Sequence, residues 1–306
     1  MAYTDREDLN YIGQLFLIGA NQTPFLNMIG GMNGGKRARS FLFPVAQPWS
    51  LSAASQPAIT EADSVSSNTA TTVVRNQDTN TVQIFQETVE VSHAKQSTVG
   101  EIGGISVLGD QPVMDEFDFQ RQAALRQIAI DLEYSFLQGA FQDAVNTATA
   151  AKMRGLKNAI TTNTVAASGA TLTKAIADTM FATMAATGAI FENVVILANA
   201  FQKQKLSDIY GFAPEDRNVG GVNIKQIETD FGMVGIVFDP HMPTDEIYAV
   251  EISVCSPVFT PFEGQLMTFE MLAQVAASRK GQWYAQVGLD YGPEEYHGSV
   301  TGLATA

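Results

Sequence analysis

The sequence predicts an α+β fold, and two neighbouring features carry that prediction: an extended polar arm and a long helix behind it. The arm covers residues 58–92 and is rich in Thr, Ser, Asn and Val, while the helix runs from residue 112 to at least residue 138, with residue 146 as its furthest end. A third feature is the alternation of short helices and strands after residue 156. Because a two-stranded polar arm is marginal by itself in water, we expect it to lie on a neighbouring subunit. This favours an assembly protein over an enzyme.

Residues 1–57, which precede the arm, are expected to be largely irregular. They contain a short apolar helix at residues 11–18, a glycine cluster at residues 30–35 and prolines at positions 44, 48 and 57. So many glycines and prolines interrupt helices and strands that the segment has little core of its own. We expect it to lie over another surface.

Within the arm, β-branched residues predict a strand at residues 69–75 and a return strand at residues 81–92, with a turn at residues 76–80 between them. In the return strand, Val82 and Ile84 share one parity, whereas Val89 and Val91 share the other. This slip in the alternation predicts a bulge or bend near residues 85–86.

The helix begins with Pro112 and with two acidic residues, Asp115 and Glu116, near the positive end of the helix dipole. Its apolar residues fall into two stripes on roughly opposite sides: Met114, Phe117, Leu125, Ile128, Leu132 and Phe136 on one, and Phe119, Ala123, Ile130, Tyr134, Leu137, Phe141 and Val145 on the other. A surface helix ordinarily has one stripe. We therefore expect a helix of about 40 to 50 Å that is packed on both sides, with a sheet on one flank and an arm on the other.

After residue 156 the hydrophobic pattern becomes that of an α/β unit. It predicts helices at residues 171–187 and 200–209, and strands at residues 194–197, 222–224, 235–238, 246–254 and 282–291. The single cysteine, Cys255, excludes an intrachain disulfide and is expected to be a buried strand residue.

The composition indicates a real core under a weakly charged surface. Of 306 residues, 45% are hydrophobic and 16% are charged, against roughly 25% charged in ordinary soluble domains. A surface of Gln, Asn, Thr and Ser loses its water more easily than one of Lys and Glu, which suits extensive subunit contacts. A weakly charged enzyme has the same composition, so composition alone does not separate the two classes.

The net charge of −14 argues against nucleic acid as a bound ligand, because a binding face must neutralise phosphates with Lys and Arg. The local basic cluster is Lys36, Arg37 and Arg39. Nucleic acid as an enclosed cargo stays possible, since salt screens repulsion over about 10 Å. No apolar run approaches a membrane span of roughly 18 to 20 residues, and the first ten residues have no signal core. These features favour a reducing cytoplasm.

Motifs for catalysis or ligand binding fail on spacing or context. Residues 30–36 match the first seven positions of a phosphate-binding loop, but Arg37 stands where Ser or Thr should hold Mg²⁺, and the next residues are extended rather than helical. The three histidines, His93, His241 and His297, lack metal-ligand spacing. No Gly-x-Ser-x-Gly sequence is present. We therefore predict no catalytic, cofactor-binding or metal-binding residue.

The order of these elements resembles the major capsid proteins of tailed bacteriophages with the Hong Kong 97-like fold. Several stretches are similar to the major head proteins typified by a Salmonella-type phage, and together they span nearly the whole chain: residues 81–85, 89–92, 130–133, 154–156, 285–289, 297–298 and 302–303. Each stretch is weak alone, and their order is the specific part.

The resemblance implies a division of the chain into an N-terminal arm (residues 1–57), an extended loop (58–93), a peripheral domain with a spine helix (94–155, completed by 253–306) and an axial domain (156–252). The arm and the loop would reach neighbouring subunits, and the axial domain would surround the five- and six-fold axes. The C-terminal strands would return to the peripheral sheet.

The function implied by the resemblance is that of a structural subunit of a virion. Copies would form pentamers and hexamers of an icosahedral or prolate shell around double-stranded DNA, bound without sequence specificity and assembled in the host cytoplasm. Decoration, portal and scaffolding proteins would be further partners, and no membrane or cofactor is implied. Two alternatives remain: an encapsulin-type nanocompartment shell of the same fold, and a cytosolic α/β enzyme with its site after residue 156.

One departure from some relatives is informative. Those relatives cross-link their shells through a lysine on the extended loop, and here no lysine occurs between Lys36 and Lys95. We therefore predict a shell without covalent cross-links. We also expect deletion of residues 69–92 to leave a folded subunit that fails to assemble.

Overall fold

Two large β-sheets, a two-stranded sheet of β2 and β3 and one long helix organise the chain in the computed structural model, which describes residues 22–32, 34–66, 72–97, 116–210, 215–219 and 222–305. The α-helices are α1 (Pro24–Met28), α2 (Glu61–Ser64), α3 (His93–Ser97), α4 (Glu116–Gln138), α5 (Leu156–Ala159), α6 (Lys174–Ala186) and α7 (Ala200–Tyr210). The strands are β1 (Lys36–Arg37), β2 (Leu42–Ala46), β3 (Asp78–Thr81), β4 (Gln83–Ser92), β5 (Thr164–Ala166), β6 (Val194–Ala198), β7 (Glu215–Val219), β8 (Val222–Thr229), β9 (Gly232–Phe238), β10 (Ile247–Glu251), β11 (Ser256–Phe259), β12 (Met267–Met271), β13 (Ser278–Asp290) and β14 (Gly298–Thr301).

The first sheet is built around β13. Strand β4 runs antiparallel along one edge of β13, from the pair Gln83–Val287 to the pair Ser92–Ser278. Strands β12 and β11 share the other edge, and β1 adds to β11 in parallel. Side chains alternate in β4 because one face lies against α4 and the other against solvent; those on the inner face are Phe85, Val89 and Val91.

The second sheet has seven strands in the order β5-β14-β10-β6-β9-β8-β7. Every residue of β6 and β10 is buried, since both faces of the sheet are covered, and the two strands are accordingly apolar except for Glu251 at the end of β10. In β6, Ile196 faces the core formed with α6 and α7, whereas Leu197 faces the core that contains α4.

Helix α4 links the two sheets. Its residues Ile128, Leu132 and Phe136 are fully buried in a core that also contains β13 and one face of the seven-stranded sheet. Helix α1 joins the same core, with the rings of Phe25 and Phe136 6.3 Å apart, edge to face. The expectation that residues 1–57 lack a core is therefore wrong for the segment 24–29. The helix predicted at residues 11–18 lies outside the described residues.

The bounds of α4 differ from the prediction at its C-terminal end. The helix stops at Gln138 rather than reaching residue 146, because the chain folds back on itself there: Gly155 N donates to Gly139 O at 2.9 Å, and Gln142 pairs with Lys152. The 23 helical residues span about 35 Å. The predicted start at residue 112 precedes the described part of the helix.

The arm, residues 58–92, differs from the prediction more than the helix does. Residues 76–80 are not a turn, because β3 (Asp78–Thr81) pairs with β2; the described residues 72–75 form no strand beyond the single bridge between Arg75 and Trp49. Strand β4 pairs with β13 without a register shift, so the bulge predicted at residues 85–86 is absent. The interruption lies at Val82, between β3 and β4, and this explains why Val82 is buried whereas Ile84, two residues later, is exposed.

Most of the later elements agree with the prediction. Helices α6 and α7 and strands β6, β8, β9, β10 and β13 are confirmed. Cys255 is buried but follows a short 3-10 helix, Ile252–Val254, instead of lying in a strand. Strand β14 pairs with β10 and β5, so this C-terminal strand joins the seven-stranded sheet and does not return to the sheet of β13. Among the described residues, no helix combines the length and the apolarity that a membrane crossing requires.

Candidate assembly surfaces

A projecting loop, residues 49–77, is the first candidate surface. Its described residues, 49–66 and 72–77, are all exposed, although several are large and apolar: Trp49, Leu51, Ile59, Val65, Val73 and Val74. Several large apolar side chains exposed in one segment indicate a contact surface. The loop begins nine residues before the predicted boundary at residue 58, and the signal for this was Trp49, an aromatic residue in a proline-rich open segment.

Backbone pairing at the root holds the two ends of the projecting loop together. Trp49 and Arg75 form an antiparallel bridge, and Asn76 N donates to Pro48 O at 3.1 Å. The strands β2 and β3 continue this pairing toward the body of the subunit. The loop therefore leaves and returns at one place, and its outer part makes few contacts with its own subunit.

Asn80 connects the root of the projecting loop to the core. Its fully buried side chain donates from Nδ2 to Leu289 O (2.7 Å) and to Arg154 O (3.1 Å), and its Oδ1 accepts from Arg154 N (2.7 Å) and Thr81 N (2.9 Å). One amide thus ties β3 to β13 and to the segment before α5. The sequence pattern predicts a turn at Asn80 and gives no sign of this role, because no local pattern distinguishes a buried Asn from a turn Asn.

The outer face of α4 is the second candidate surface. Phe117, Ile128, Leu132 and Phe136, four members of the first predicted stripe, are buried. On the second stripe, Phe119 and Tyr134 are 37% and 52% exposed. Leu137, also on the second stripe, is buried in the core. The described residues of one subunit thus cover the first stripe and part of the second, and they leave the second stripe open around Phe119 and Tyr134.

The glycine-rich stretch before β1 has a structural role. Lys36 Nζ lies 2.5 Å from Asp290 Oδ2, and β1 pairs with β11 instead of preceding a helix. Gly35 has a φ of +104°, and a Cβ there would lie 2.2 Å from Pro257 O. This geometry is not that of a phosphate-binding loop, which opens a helix.

The histidines and the cysteine occupy separate places. His297 is buried, accepts at Nδ1 from Glu251 N and donates from Nε2 to Tyr291 O; burial lowers its pKa. Burial also raises the pKa of Cys255 far above its ordinary range, which leaves an inert thiol. Across the described residues, no group of three His, Cys, Asp or Glu side chains is arranged to hold a metal ion.

Comparison with known proteins gives a family match over nearly the whole chain. A family model described as SU10 major capsid protein matches residues 2–304. No curated protein sequence matches the chain.

Solved structures show the same fold at low identity. The cyanophage A-1(L) capsid subunit superposes with a TM-score of 0.62 at 14% identity, covering 98% of this chain and 96% of that chain. A chain from a solved structure of Mycobacterium phage Che8 gives a TM-score of 0.55 at 12% identity, covering 98% of each chain. The holo-SrpI encapsulin complex of Synechococcus elongatus PCC 7942 gives 0.57 at 11% identity, covering 95% and 94%. The Hong Kong 97-like fold expected from the resemblance is confirmed.

Proposed function

Because the chain belongs to the SU10 major capsid protein family, and is thus a structural subunit that forms capsid shells with copies of itself, we propose that it assembles into the pentamers and hexamers of a closed shell around double-stranded DNA. The family and the fold support this proposal. In the proposed shell, the exposed apolar residues of the projecting loop and of α4 form the contacts between subunits. The role is structural, and we propose no catalytic activity for it.

The contact that carries the proposal joins two copies through the two candidate surfaces. The projecting loop presents Trp49, Leu51 and Ile59, and the outer face of α4 presents Phe119 and Tyr134. Neither surface is covered by the described residues of its own subunit. Burying an apolar side chain contributes about 1.5 to 3 kcal/mol, so several such residues per contact are enough when a closed shell repeats the contact many times.

Two structural units follow from the sheets. The unit around the seven-stranded sheet contains most of residues 156–252 and also β14, and we assign it to the axes of the pentamers and hexamers. The unit around β13 contains α4, β1, β4, β11 and β12, and we assign it to the periphery. Relative to the sequence-based division, β4 moves from the extended loop into the peripheral unit, and β14 moves to the axial unit.

The cargo and the other partners follow from charge and family. A subunit with a net charge of −14 suits DNA that is packed at high density without specific contacts. Portal, decoration and scaffolding proteins complete the proposed particle. We place its assembly in the host cytoplasm and its final location in the virion shell.

Excision of the projecting loop tests the contact. The deletion of residues 69–92 considered from the sequence removes β4 and would unfold the first sheet. A better variant replaces residues 51–73 by Asn-Gly, which connects Ser50 to Val74 beyond the bridge between Trp49 and Arg75. A two-residue Asn-Gly turn suits such a hairpin. We expect a subunit with wild-type circular dichroism that stays small in size-exclusion chromatography.

The partner surface provides the matched experiment. The double variant Phe119→Ser with Tyr134→Ser changes exposed residues and should also fold without forming shells, whereas Phe136→Ala changes the buried stripe and should reduce stability. Wild-type shells in electron micrographs of both the excision variant and the double variant would contradict the proposed contact.

A nanocompartment shell is the second candidate, since a solved encapsulin has the same fold. The contents of the particle separate the two functions. We expect purified particles to contain nuclease-protected double-stranded DNA; a discrete protein cargo without DNA would favour the nanocompartment.

A further inference from the structure

Three segments that are distant in sequence meet at a buried pair of carboxyl groups. Glu133 on α4 is fully buried and accepts two backbone hydrogen bonds, from Phe25 N to Oε1 and from Leu26 N to Oε2, both at 2.7 Å. Asp239, also fully buried, directly follows β9 and lies within hydrogen-bonding range of Glu133. The pair therefore connects α1, α4 and the seven-stranded sheet.

No metal or basic side chain is placed to neutralise both carboxyl groups. Neither of them takes part in an ion pair among the described residues, and the described chain has no three-ligand metal cluster. From α1 the pair receives only backbone N–H groups. From the turn after β9 it receives His241, whose backbone N donates to Asp239 Oδ1 at 2.8 Å and whose imidazole lies close to Asp239.

Burial makes two negative charges here unfavourable. Desolvation raises the pKa of Glu133, the charge of Asp239 raises it further, and the bonds from Leu26 N and Phe25 N act in the opposite direction. Desolvation also raises the pKa of Asp239, although the hydrogen bond with Glu133 and the neighbouring His241 act in the opposite direction. Two carboxyl groups in contact cannot easily ionise together, so one proton remains with the pair.

The unpaired atom shows where that proton fits. Asp239 Oδ2 is buried and has no donor within reach, whereas both oxygens of Glu133 already accept N–H groups. A proton held between the two carboxyl groups would leave one negative charge on the pair, and the two N–H donors to Glu133 would stabilise that charge. We propose that Glu133 and Asp239 share one proton, and that this proton clamps the segment 24–29 onto α4.

The shared proton makes the docking of segment 24–29 depend on pH. The docked state holds one proton that the undocked state, with both carboxyls in water at pKa values of about 4, does not hold. The equilibrium constant for undocking therefore rises tenfold with each pH unit above about 4. This rise ends when the pH exceeds the raised pKa of the pair. Alkaline conditions should loosen segment 24–29 while the sheets stay folded.

Hydrogen exchange of the Phe25 and Leu26 amides measures this equilibrium. Purified full-length protein would be compared between about pH 5 and pH 8, with the intrinsic pH dependence of exchange removed. We expect the opening constant of the wild-type protein to rise tenfold per pH unit. In Asp239→Asn the amide donates permanently to Glu133, so the opening constant should be independent of pH and lower than that of the wild-type protein at the upper end of the range.

Two further variants complete the test. Asp131→Asn changes a carboxyl on the same helix that bonds to Gln127, and it should keep the wild-type slope. His241→Gln removes the imidazole, and it should also keep the slope. A wild-type slope of zero, an unchanged slope in Asp239→Asn, or loss of the slope in His241→Gln would each overturn the proposal, the last because the imidazole would then carry the proton.

Discussion

At the scale of single residues, buried polar side chains determine where the assembly surfaces stand relative to the core. Glu251 accepts from Glu192 N, Asn193 N and Ser253 N, and Asn80 satisfies four backbone groups. Each side chain replaces bonds that loop backbone would otherwise make to water. Such residues carry little hydrophobic signal, although they fix the geometry.

Replacing Asn80 with Ala should lower the free energy of unfolding by about 3 kcal/mol, because buried backbone donors and acceptors would be left without hydrogen-bond partners. Asn80→Asp should be at least as harmful near neutral pH, since a carboxylate would face the carbonyl oxygens of Arg154 and Leu289. Chemical denaturation of unassembled protein measures both. Asn146→Ala, at an exposed turn, should cost less than about 1 kcal/mol; an equal cost would contradict the anchoring role.

At the scale of elements, the end of α4 depends on a crossing of two backbone segments. Gly139 O accepts from Gly155 N and from Asn158 Nδ2, at 2.9 and 2.8 Å. A Cβ on Gly139 would lie 2.4 Å from Ser135 O, and one on Gly155 would lie 2.5 Å from Gly139 N. Glycine is required here for space, since neither residue has a positive φ.

Gly139→Ala and Gly155→Ala should each destabilise the subunit by about 2 kcal/mol, because the added methyl group forces the two segments apart. Thermal unfolding monitored by circular dichroism would show the loss. Ala140→Ser, at the exposed neighbouring position, is the control and should change stability by less than about 0.5 kcal/mol. Wild-type stability in both glycine variants would contradict the close crossing.

At the scale of the whole molecule, the proposed contact between the projecting loop and the outer face of α4 joins each subunit to its neighbours. The loop contributes no lysine, and the flanking Lys36 and Lys95 are already paired with Asp290 and Glu116. The strength of the shell should therefore come from the number of contacts and not from covalent bonds.

Mass spectrometry of shells dissolved in denaturant should detect one species near the 32.9 kDa of a single chain. The same shells before denaturation provide the control, since their particles must be intact in electron micrographs. Species at multiples of the chain mass would show covalent cross-links and contradict the prediction.

The sequence by itself determined the α+β class, the long helix with its buried stripe, and the strands β6, β9, β10 and β13, because period and composition are local properties. It also carried the family resemblance through the order of short motifs. The absence of a lysine in the loop was equally visible from sequence.

Only the tertiary structure decided which strands pair and which surfaces stay open. The sequence predicts that β4 belongs to an arm lying on a neighbouring subunit, because its pattern is that of any half-buried strand, and only the long-range partner β13 makes it part of a sheet of its own subunit. The extent of the projecting loop, the end of α4 at Gly139 and the pairing of Glu133 with Asp239 likewise depend on residues far apart in the chain. Long-range contacts such as these leave no periodic signal in the sequence. The sequence therefore predicts the helix and both of its apolar stripes, whereas only the structure shows that Phe119 and Tyr134 on the second stripe stay exposed.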